Sequence, residues 1–123
     1  MPPDAGIYKL NLDAGSVGAS GYGWGFVLRN YLGDVELMGV KQGEGFSDPE
    51  TEEARACIFA IRTVGAHGYR RLVVEGDCLS LIGKLKAKSI PNNSLGYFIS
   101  DILSSFVNFD SIVWSFIRRG GIK

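Results

Sequence analysis

Hydrophobic and polar positions alternate with period two from Ile7 to Asp13: Tyr8, Leu10 and Leu12 fall on one side, Lys9, Asn11 and Asp13 on the other. Strict alternation of this kind predicts a half-buried strand. A Gly/Ser stretch, Gly15 to Gly21, reads as a turn. Two further runs, Gly23–Arg29 and Asp34–Lys41, flank the short connection Asn30-Tyr31-Leu32-Gly33, which predicts a hairpin. The chain thus opens as an antiparallel meander of three strands.

The period then changes. Asp48-Pro49 supplies a helix cap and a proline for the first helical position, with Glu50, Glu52 and Glu53 in the first turn. Ala54, Cys57, Ile58, Ile61 and Val64 recur at helical spacing, and Gly65 and Gly68 close the segment. Arg71–Glu75 is a short β-branched strand, Cys78–Lys86 a second helix, and Pro91-Asn92-Asn93-Ser94 opens a third helix reaching about Phe106. Ser111–Ile117 is the last strand. The order β-β-β-α-β-α-α-β is an α/β architecture with a mixed, five-stranded sheet.

Composition narrows the function. The 123 residues make one domain's worth of chain, with no internal repeat and no long linker. Thirteen basic residues balance thirteen acidic ones, which excludes a protein working through gross charge; a nucleic-acid contact would need a local patch. Cys57 and Cys78 have no metal-ligand spacing, and His67 is the one histidine. Two reduced thiols, no signal-like start and no apolar run of spanning length predict a soluble cytoplasmic or nuclear protein without membrane contact.

Three carboxylates carry the candidate chemistry: Asp13 at the end of the first strand, Glu53 in the first turn of the first helix, and Asp77 at the exit of the fourth strand. If the first and fourth strands are neighbours, Asp13 and Asp77 share one end of the sheet and Glu53 can approach them. Such a cluster repels itself, and a divalent cation relieves the repulsion, with hard oxygen donors selecting Mg²⁺ or Mn²⁺. Each residue also has a plain structural use. Asp13 can open a turn, Glu53 (or its neighbour Glu52) can favour the helix dipole, and Asp77 can cap the second helix. Trp24, Phe26 and Leu28 read as core, and His67 as a complement to a helix C-terminus.

Four stretches in order, Asn11-Leu12-Asp13-Ala14-Gly15, Gly23-Trp24-Gly25-Phe26-Val27-Leu28-Arg29-Asn30, Thr51-Glu52-Glu53-Ala54-Arg55-Ala56 and Val73-Val74-Glu75-Gly76-Asp77-Cys78-Leu79, resemble the ribonuclease H-like superfamily. The similarity is to the plant ribonuclease H-like (reverse-transcriptase-like) domains in particular, and it runs from about Tyr8 to Lys123. The resemblance implies a ribonuclease H-like fold and metal-dependent hydrolysis of the RNA strand in RNA–DNA hybrids, with structured RNA as another partner. It implies a two-metal site of Mg²⁺ or Mn²⁺ with Asp13, Glu53 and Asp77 as both catalytic residues and ligands. Gly15, Ser16 and Gly18, the lysines Lys84 and Lys86, and Arg118 and Arg119 are the implied nucleic-acid contacts. Two departures point the other way. Phe116 stands where many relatives carry His, and the fourth carboxylate of the pattern, with its helix, has no counterpart before Lys123. Residues 1–123 then read as one domain cut short before its last helix. The alternative expectation is a weak or inactive module that only binds nucleic acid or a protein partner.

Overall fold

The computed structural model describes residues 6–16, 22–43 and 48–118. Five strands, β1 (Tyr8–Ser16), β2 (Tyr22–Arg29), β3 (Val35–Gly43), β4 (Arg71–Gly76) and β5 (Ser111–Phe116), form one sheet in the order β3-β2-β1-β4-β5. Three helices, α1 (Pro49–Ala66), α2 (Leu79–Ala87) and α3 (Ser94–Ser104), complete the described elements, with a short 3-10 turn at Ser105–Asn108. β1 to β3 are antiparallel neighbours, whereas β4 adds parallel to β1 and β5 parallel to β4. The expected meander, mixed sheet and element order are all present.

Strand alternation decides which face is covered. Leu10, Leu12, Phe26, Leu28, Leu72, Val74 and Trp114 point one way and join Ala54, Cys57, Ile61, Val64, Leu81, Leu85, Ile99 and Ile102 of the helices in one core. The opposite parity gives a barer face, where Met38, Val40 and Val113 are more than half exposed. α1 is central: it crosses β1 and β2 and packs against both other helices.

Local chemistry sets the element ends. Asp48 caps α1 as expected, accepting from the Thr51 amide at 2.9 Å and from its hydroxyl at 3.0 Å. The Thr51 amide bond in turn holds the Asp48 carboxyl below its usual range. His67 occupies the C-cap of α1 with Nδ1 2.8 Å from the Thr63 carbonyl oxygen. Gly33, at φ +89°, supplies the left-handed residue of the β2–β3 hairpin.

Two boundaries differ from the sequence reading. β1 does not stop at Asp13 but continues to Ser16, because Gly15 and Ser16 still pair with Gly23 and Tyr22 of β2. The third helix tightens into the 3-10 turn after Ser104, so Phe106 lies beyond the α-helix proper. Within α2, Gly83 is exposed, with nothing within 4 Å of an added Cβ. Gly83→Ala is therefore expected to stabilise the protein by about 0.5–1 kcal/mol, read as a higher urea midpoint at unchanged slope.

Candidate functional site

Chain direction brings the candidate carboxylates to one edge. β3 runs parallel to β1 through their shared neighbour β2, so β3 ends at the same edge where β1 ends. α1 starts there and runs back, delivering its N-terminal turn to that edge. The β1–β4 register pairs Leu10 with Val74 and Asn11 with Glu75. That pairing ends two residues before Asp13, which lies further along β1, and two before Asp77, which follows the last residue of β4. The condition set by the sequence, that the first and fourth strands be neighbours, is met.

The two glutamates of the α1 first turn are separated by their surroundings. Glu52 turns towards β2: Trp24 Nε1 donates to its Oε1 at 3.0 Å, and Arg55 Nε lies 3.8 Å from its Oε2. Glu53 turns towards β4, where a Cβ added to Gly76 would lie 3.6 Å from Glu53 Oε2 and 3.6 Å from Ile82 Cδ1. Glu53 is thus a buried carboxylate against the residue that precedes Asp77. Glu50, the remaining acid of the turn, pairs with Lys84 at 2.7 Å.

Asp77 is not the cap of α2. Cys78 holds that position, with no side-chain cap bond, and Asp77 stands one residue outside, half-buried. The thiols register the local field. Burial, with the Glu53 charge added, pushes the Cys57 thiol far up. Burial also raises Cys78; the Leu81 amide opposes this, and the charges of Glu50, Glu53 and Asp77 add to it. The charges of Glu50, Glu53 and Asp77 thus all reach the sulfur that follows β4.

Several other expected contacts are placed less simply. Lys84 is engaged with Glu50 and, at 2.7 Å, with the Ser80 hydroxyl, so it ties α2 to α1 instead of standing ready for phosphate. Lys86 is exposed in the last turn of α2. Gly15 and Ser16 lie in the final part of β1, beyond Asp13. Arg118 is exposed just after β5, while Gly18 and Arg119 lie outside the described residues. Phe116 ends β5 in register with Gly76 and packs against the core.

Trp24 corrects the sequence reading. It is not plain core like Phe26 and Leu28 but half-buried, lying so close over Gly43 of β3 that a Cβ there would meet the indole ring at 2.7 Å. That seat lets its N–H reach Glu52. The missed signal was the indole N–H, which seeks an acceptor when it is removed from water.

Among the described residues, no three His, Cys, Asp or Glu side chains converge on a metal position. Nor is any helix among them long and apolar enough to cross a membrane. Glu53 and Asp77, at the exit of β4, are both carboxylates, the first buried and the second half-buried. That set fits a hard divalent cation and does not fit zinc.

The five-stranded 3-2-1-4-5 sheet with α1 laid across it defines a ribonuclease H-like domain. Ribonuclease H1 from the halophilic archaeon Halobacterium salinarum NRC-1 matches with a TM-score of 0.81 at 19% identity, covering 93% of this chain and 87% of that one. The N-terminal RNase H domain of a Mycobacterium tuberculosis protein, solved as a fusion with maltose-binding protein, gives 0.81 at 16% identity, covering 94% and 84%. LC11 ribonuclease H1 in complex with an RNA/DNA hybrid gives 0.79 at 16% identity, covering 92% and 86%. No curated protein sequence gives a significant match. The family model described as reverse transcriptase-like matches residues 11–123, and the chain belongs to that family.

Proposed function

We propose that this chain binds RNA–DNA hybrids at the edge where β1 and β4 end and hydrolyses their RNA strand, with Asp13, Glu53 and Asp77 holding Mg²⁺ or Mn²⁺. The observation that carries the reading is the convergence of backbone register and burial. The β1–β4 pairing runs to Asn11 and Glu75, two residues before Asp13 and Asp77 in their segments, and Glu53 is packed against Gly76, which precedes Asp77. The similarity to LC11 ribonuclease H1, solved on an RNA/DNA hybrid, supports the choice of substrate.

When bound, the divalent ions supply Lewis-acid stabilisation of the phosphoryl transition state and a more acidic attacking water. The protein's own part is preorganisation. The Asp48 cap fixes the first turn of α1, and the Trp24–Glu52–Arg55 group fixes its rotation. These contacts hold the ligand from α1 in place before substrate arrives, so little reorganisation remains for the reaction. The N-terminal end of the helix favours the negative charge gathered there.

Phe116 favours a second reading, in which the module binds without cutting. It places an apolar ring level with Gly76, beside the carboxylates. The deciding assay follows end-labelled RNA in a hybrid, as free RNA, and against a DNA duplex, each with Mg²⁺ or Mn²⁺. Metal-dependent products from the hybrid alone are expected. Folded protein that retains the hybrid in a mobility shift but yields no product would overturn cleavage in favour of binding.

A further inference from the structure

On the solvent side of α1, between the helix and its neighbours, two concavities of about 320 and 300 Å³ meet at Arg62, which lines both. The first is walled by Trp24 and Lys41 from the sheet and by Phe98 from α3; the second continues to Arg70 at the start of β4. Together they make a furrow that begins beside Glu52, next to the carboxylate edge, and follows α1 towards its C-terminus.

The furrow is basic in a protein whose formal net charge is zero. Lys41, Arg55, Arg62 and Arg70 line it. Two of these cations are held over aromatic rings: Lys41 Nζ lies 5.9 Å from the Phe59 centroid and the Arg55 guanidinium 4.9 Å from that of Phe98. Arg55 also keeps a buried Nε without a hydrogen-bond partner among the described residues, its contact with Glu52 being an ion pair at 3.8 Å. The acids facing the track are Glu52 and Asp101. Asp101 pairs with Arg62 at 3.4 Å, with both side chains more than half exposed. An exposed pair of this kind is weak and readily exchanges for another anion.

From Arg55 to Arg62 the helix advances about 10 Å, at 1.5 Å per residue. Fixed cations repeated along a track, with an indole and phenyl rings between them, suit a phosphodiester strand whose bases stack as its phosphates pair. An acidic peptide would use the charges but not the rings.

We infer that the α1–α3 furrow is a track for a single strand of nucleic acid that continues from the carboxylate edge, with Arg55, Arg62, Arg70 and Lys41 on its phosphates. The inference rests on the proposed function only for where the strand comes from. Binding in the furrow requires neither metal nor cleavage.

The test is fluorescence anisotropy of a short labelled single-stranded RNA, in EDTA, over a series of KCl concentrations. The wild-type protein is expected to bind with an affinity that falls linearly in log–log form. The double variant Arg62→Gln/Arg70→Gln is expected to bind about tenfold more weakly at low salt, with a slope shallower by about 0.7 per cation removed. Arg62→Lys/Arg70→Lys should retain most of the binding. Asp101→Asn should tighten it by freeing Arg62, an outcome that a damaged fold would not produce. Unchanged affinity and slope in the double glutamine variant would overturn the inference. So would polyglutamate displacing the RNA as effectively as an oligonucleotide of equal charge, which would assign the furrow to an acidic protein segment. Strand binding without hybrid cleavage would sustain the furrow while sinking the proposed activity, so the two failures are distinct.

Discussion

Glu53→Gln and Asp77→Asn are each expected to lower metal-dependent hybrid cleavage by at least about a hundredfold while leaving the fold intact or slightly stabilised. The loss follows from removing one negative donor from a site whose task is to hold divalent charge, an effect worth several kcal/mol in the transition state. The stability change has the opposite sign because the carboxylates repel one another without a cation. Burial raises the Cys78 thiol, and the charges of Glu50, Glu53 and Asp77 add to the rise. Neutralising either acid relieves that repulsion and keeps the side-chain volume. Glu52→Gln is the informative comparison. Its carboxylate is held by Trp24 and Arg55 on the side of β2, so it should disturb the seating of α1 and cost far less activity. Thermal melts run beside single-turnover cleavage check both halves of the expectation. A variant that loses activity and stability together would indicate a structural role.

Gly96→Ala is expected to cost about 2–3 kcal/mol, a large effect for the smallest of side-chain additions. Gly96 is buried in the first turn of α3. A Cβ there would overlap the carbonyl oxygen of Pro91 and come within 3.3 Å of Ile90 Cγ2. Backbone cannot yield as a flexible side-chain tip can, so the 90–93 segment must move. That segment carries the Asn93 cap, whose side chain accepts from the Gly96 amide at 3.3 Å. The substitution therefore combines overpacking with a weakened cap. The expected fall in melting temperature is about 10 °C. Ser100→Ala, on an exposed position of the same helix, should shift it by a degree or two at most, and urea titration of the pair checks the difference.

Much of this was legible in the chain. Period-two alternation at Tyr8–Leu12 and helical spacing from Ala54 to Val64 fixed the element types, because burial on one face imposes those periods. Asp48-Pro49 marked the start of α1 because its capping chemistry is local. What escaped was what only tertiary contact decides. Strand pairing carried β1 on to Ser16, past the glycine that read as a turn. Glu52 and Glu53 are adjacent and chemically alike, and only the positions of Trp24 and Gly76 give them different neighbours. Lys84 read as a phosphate contact because its partner Glu50 lies on another helix, far away in sequence. The basic furrow was invisible for the same reason: Lys41, Arg55, Arg62 and Arg70 are scattered along the chain, and a zero net charge conceals a local excess.

The central claim, that the ends of β1 and β4 with the first turn of α1 form a divalent-cation site, is tested most directly by calorimetric titration of Mn²⁺ into the substrate-free protein and its Asp77→Asn variant. Saturable binding by the wild type, lost or greatly weakened in the variant with no fall in melting temperature, is the predicted result. Equal binding by the two proteins, or no saturable binding by a folded wild type, would contradict it.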